Sequence, residues 1–91
     1  MDNREKLQTM EKMVRQLEDL VNSETSVVKK IGQLEAENIN FGNSLLEKQL
    51  PDVLTKSEET LELATSLFNE FTAAKDKFIT DNKLEEVVDE A

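Results

Sequence analysis

From Leu7 onward the apolar positions of the chain step by three and four: Leu7, Met10, Val14, Leu17, Val21, then Val28 and Ile31, with Glu24 the one charged interruption. A seven-residue repeat of this kind draws a single stripe along an α-helix. A second set, Met13, Leu20, Val27 and Leu34, flanks it at steps of seven. The apolar face is therefore wider than a two-stranded seam needs, which suits a helix packed against two neighbours. The second half behaves alike. Its stripe is read as Leu46, Leu50, Val53, Ser57, Thr60, Ala64, Leu67, Phe71, Ala74 and Phe78, flanked by Leu54, Leu61 and Phe68.

The stripe of the first half keeps phase across "VNSETS" (21–26) and across Gly32, so one continuous helix is expected from about residue 3 to 38. "NINFGNS" (38–44) is the stop. Its asparagines and Gly42 tolerate turn conformations. Ser44 with Glu47 has the spacing of a capping box for a second helix over about 44–80. Pro51 is awkward there, because proline inside a helix removes a hydrogen bond. A restart near Pro51, or a kink, is expected. Phe41 is expected to fold back as an apolar lid on the hairpin end, the alternative being an exposed anchor for a partner. Residues 81–91 form an acidic tail with Leu84, Val87 and Val88 at helical spacing, either a fraying end or a short docking segment.

The expected fold is all-α: a long antiparallel helical hairpin over 1–80, completed as a bundle by self-association or a partner. If the chain reverses near residues 41–42, residue i faces residue 83 minus i. Glu24 and its serine neighbours then lie level with Ser57 and Thr60. Two coincident polar interruptions support that pairing, since a polar group is buried at less cost beside another. Glu24 either carries its carboxylate out to water along its aliphatic stem or sets register and assembly state.

Composition narrows the function. Helix formers dominate, and turn residues are too few for an all-β chain. The net charge is −9, of which residues 46–91 carry −7 (12 acids, 5 bases). Direct binding to nucleic acid or to an anionic membrane is not expected, since both require a cationic face. The absence of His and Cys removes the usual zinc ligands, the commonest general base and any disulfide. Adjacent pairs such as Glu58–Glu59 do not face each other on a helix, and Glu58 with Glu62 is a solvated acidic face rather than a metal site. No cofactor, small-molecule substrate or catalytic role is expected. The charged start "MDNREKLQ" lacks the apolar segment of a signal peptide, so a cytoplasmic setting is expected, with export by a signal-less route the alternative.

The leading function is a non-catalytic interaction module, an adaptor, assembly scaffold or chaperone-like part, acting as a homodimer or on a helical protein partner. Its candidate interface residues are Leu7, Met10, Met13, Val14, Leu17, Leu20, Glu24, Phe41, Leu61, Phe68, Phe71 and Phe78. The length, the helical hairpin and "NFGN", which sets an aromatic beside glycine at the turn, resemble the secreted Trp-x-Gly helical hairpin family. The resemblance implies an exported hairpin partner. It covers architecture alone: Phe41 and Gly42 are adjacent, and with no Tyr the family's Tyr-x-x-x-acid export signal is missing. A DNA mimic presenting carboxylates for phosphates is a further alternative, weakened by the lysines interspersed among the acids.

Overall fold

A computed structural model describes residues 1–84. Two α-helices, α1 (Asn3–Phe41) and α2 (Ser44–Asp81), form an antiparallel hairpin 62 × 20 × 19 Å in extent, with no strand among the described residues. As the phase of its stripe predicts, α1 runs unbroken through "VNSETS" and Gly32. Its first turn is capped by Asp2, whose side chain accepts from the backbone N–H of Glu5 at 2.8 Å.

The reversal is tighter than expected, because α1 continues past residue 38 to Phe41 and only Gly42 and Asn43 separate the helices. Gly42 takes φ 72°, the left-handed conformation that a side chain would penalise, and its N–H bonds back to Asn38 O at 2.8 Å. The N-cap of α2 is Asn43, not Ser44: its side chain accepts from Leu46 N at 3.0 Å. Asn38, read from sequence as a turn residue, is a buried helical residue. Its Oδ1 accepts from Asn43 N at 2.9 Å and its Nδ2 donates to Asn43 O at 3.0 Å. One amide side chain thus satisfies both backbone groups of the residue that opens the second helix.

Pro51 does not restart the helix; α2 passes through it. The proline leaves the Glu47 carbonyl without its helical donor, but both residues are exposed, so water can take that place. Phe41 does not fold back as a lid either. It is 78% exposed, because helical geometry persisting to residue 41 holds its side chain on the outside of α1.

The open end is fastened in two ways. Asn3 Nδ2 donates to Asn82 Oδ1 at 3.0 Å, two residues off the 83 − i register. Lys83 takes φ 55°, while Lys83 N bonds to Thr80 O and Leu84 N to Ile79 O. This is the Schellman pattern, and it folds Leu84 back into a buried position. The acidic tail therefore begins with a docked residue; Val87 and Val88 lie outside the described residues.

Gly32 and Asn38 make opposite predictions. A Cβ added at Gly32 meets nothing within 4 Å, so Gly32→Ala should raise stability by about 1 kcal/mol in urea unfolding. Asn38→Ala removes both side-chain bonds to Asn43, leaving its N–H without a protein partner while its carbonyl keeps Glu47 N, and should lower it by about 1–3 kcal/mol by the same measurement.

Candidate functional site

The seam between the helices takes one series from each. On α1 it is the predicted stripe, Leu7 to Ile31 through Glu24, all buried or half-buried, extended by Glu35 and Asn38. On α2 the buried and half-buried series is Leu50, Leu54, Ser57, Leu61, Ala64, Phe68, Phe71, Lys75 and Phe78. This differs from the stripe that periodicity predicts for α2. Leu54, Leu61 and Phe68, taken as the flank, face α1, whereas Val53, Thr60, Leu67 and Ala74, taken as the stripe, lie outside it. Both sets recur every seven residues and lie on either side of the same shared positions, so periodicity alone does not choose between them.

The seam absorbs most of the candidate interface. Leu7, Met10, Val14, Leu17, Leu61, Phe68, Phe71 and Phe78 are half-buried within the hairpin. Met13, Leu20 and Phe41 remain exposed, and Glu24 lies half-buried at the seam's edge. Glu24 shares one groove with Val53, Lys56, Ser57 and Thr60, as the coincidence of polar interruptions predicts. Thr60 Oγ1 already donates to Lys56 O at 3.0 Å, and Thr25 Oγ1 to Val21 O at 2.8 Å. These hydroxyls therefore bring no unmet donor to the layer.

The two flanks of the seam differ in chemistry. In an antiparallel pair, residues displaced to the same rotational hand of each seam meet on one side of the hairpin. One side carries Met13, Leu20, Val27, Leu34 and Phe41 from α1, every seventh residue, with Val53, Thr60, Leu67 and Ala74 from α2. Its large apolar members are between 38% and 78% exposed. The other side carries Glu11, Glu18, Thr25, Gly32 and the exposed Ile39 with Glu58, Thr65 and Thr72. There Glu58 and Glu62 share a groove with Val28, Thr65 and Asn69. The hairpin as a whole is thus amphipathic, one level above the amphipathicity of each helix.

Leu34, Val53 and Leu67 belong to this apolar side although none was a candidate. The signal was present in their steps of seven from Leu20 and Thr60. Among the described residues no group of three or more carboxylates converges where a metal could be held, and no helix is long and apolar enough to cross a membrane. No protein-family model, curated protein or solved structure matches the chain.

Glu24 interrupts an otherwise apolar stripe at its rim, so Glu24→Leu should raise the melting temperature. A lower melting temperature would mean instead that its carboxylate makes a polar contact the layer requires.

Proposed function

We propose that the chain is a non-catalytic helical interaction module, an adaptor, assembly scaffold or chaperone-like part, which works through the apolar side of its hairpin. One observation carries this: five large apolar residues of α1, Met13, Leu20, Val27, Leu34 and Phe41, stand exposed in a straight row beside Val53 and Leu67 of α2. Scattered single apolar residues are ordinary on a protein surface, but a contiguous row at helical spacing has the form of a helix-packing surface. The matching partner is an apolar stripe on another helix or helical pair. The net charge of −9 favours such a protein surface over nucleic acid or an anionic membrane.

Leu20→Glu combined with Leu67→Glu places two charges on this side without entering the seam. The variant should keep its helical circular dichroism and lose the partners that the immobilised wild-type chain retains, a second copy included. Equal retention by both proteins would sink the proposal.

A further inference from the structure

The apolar side has an internal symmetry. Its α1 row is symmetric in character about Val27: Met13 and Phe41 lie fourteen residues either way, Leu20 and Leu34 seven. The α2 row is centred on Thr60, with Val53 and Leu67 seven residues either way. In the antiparallel hairpin Val27 and Thr60 stand at nearly the same height. The Asn3–Asn82 hydrogen bond pairs residue i with 85 − i, which sets Val27 level with residue 58, about 3 Å along the axis from Thr60. One two-fold axis, lying in the face and crossing the hairpin at this height, therefore serves both rows.

We propose that two copies of this chain pair through their apolar sides, antiparallel to each other about that axis, to make a four-helix bundle. Self-pairing presupposes the interaction-module function proposed above. Under the two-fold, Leu20 of one copy meets Leu34 of the other, Met13 meets Phe41, and Leu67 meets Val53. Thr60 meets itself with its hydroxyl already bonded.

Charge and area agree. The acids that give the chain its −9 are not gathered here; the charged residues bordering the rows are Lys30, Lys56, Lys77, Glu24, Glu37, Asp52 and Glu70. The two-fold brings Lys30 to the level of Glu24 of the second copy, Glu37 to Leu17 and Glu70 to Leu50, so no like charges meet. A two-fold along the hairpin's length would instead bring Lys30 beside Lys56. At 1.5 Å per residue the row from Met13 to Phe41 is about 42 Å long. Across the 20 Å width of the hairpin it offers roughly 800 Å², the amount each partner of a stable complex commonly buries.

The chain contains no cysteine, so single cysteines report the geometry directly. Sedimentation of the purified full chain at micromolar concentration should give a dimer, and the Leu20→Glu, Leu67→Glu variant a folded monomer. Under mild oxidation Val27→Cys, on the axis, should form a disulfide-linked dimer. Leu34→Cys, about 20 Å from its own copy under the same two-fold, should cross-link at least tenfold more slowly. A monomeric wild type overturns self-pairing; if it still captures other proteins in a Leu20- and Leu67-dependent way, the module function stands without it. A dimer that survives the double substitution, or equal cross-linking at both cysteines, overturns the proposed face and axis.

Discussion

A reversal of only two residues fixes the register of everything along the hairpin. Gly42 supplies the left-handed turn, Asn43 caps α2, and the Asn38 side chain ties both backbone groups of Asn43 to the last turns of α1. A longer loop would let α2 slide or rotate against α1 at little cost, because each helix offers apolar residues on more than one series. With the link this short, α2 is held with Leu54, Leu61 and Phe68 towards α1. The groove shared by Glu24, Ser57 and Thr60, near mid-length, and the Asn3–Asn82 hydrogen bond at the far end show the same register carried along the hairpin.

Once that rotation is set, most of the remaining large apolar residues gather on one side, Ile39 and Leu45 being exposed elsewhere. The seam uses two of the three apolar series on each helix, and the third series of both emerges on the same side. Few side chains are fully buried: among the described residues Ile31, Leu50, Ala64 and Leu84 are the buried apolar ones. A two-layer hairpin of this width has little interior, and its hydrophobic stabilisation is correspondingly unfinished. A second layer laid on Met13, Leu20, Val27 and Leu34 would convert a surface into a core. The polar side, with Glu11, Glu18 and Glu58, remains suited to solvent.

The polar groups near the seam have partners close at hand. Thr25, Thr55, Thr60 and Thr72 each donate to a carbonyl four residues back in their own helix. Among the described residues no buried side-chain nitrogen or oxygen lacks a partner. Lys75 sits in the seam series with its ammonium 3.9 Å from Asp76, so its methylenes line the apolar strip while the charge stays at the edge. These arrangements let an interrupted stripe still work as a seam.

Local sequence determined the helices, their number, the place of the reversal and the seam face of α1. Those follow from period, from the turn chemistry of Asn and Gly, and from the lack of any competing breaker between Leu7 and Ile31. It also contained the apolar row of α1, because steps of seven are visible without coordinates. Three matters were decided only in three dimensions. The rotation of α2 needed the facing helix, since Val53, Thr60 and Leu67 repeat every seven residues just as Leu54, Leu61 and Phe68 do. The role of Asn38 needed the chain beyond it, since a buried amide is satisfied by groups five residues on. The exposure of Phe41 and the continuity of α2 through Pro51 reflect helical hydrogen bonding carried beyond the point where propensity alone would end it.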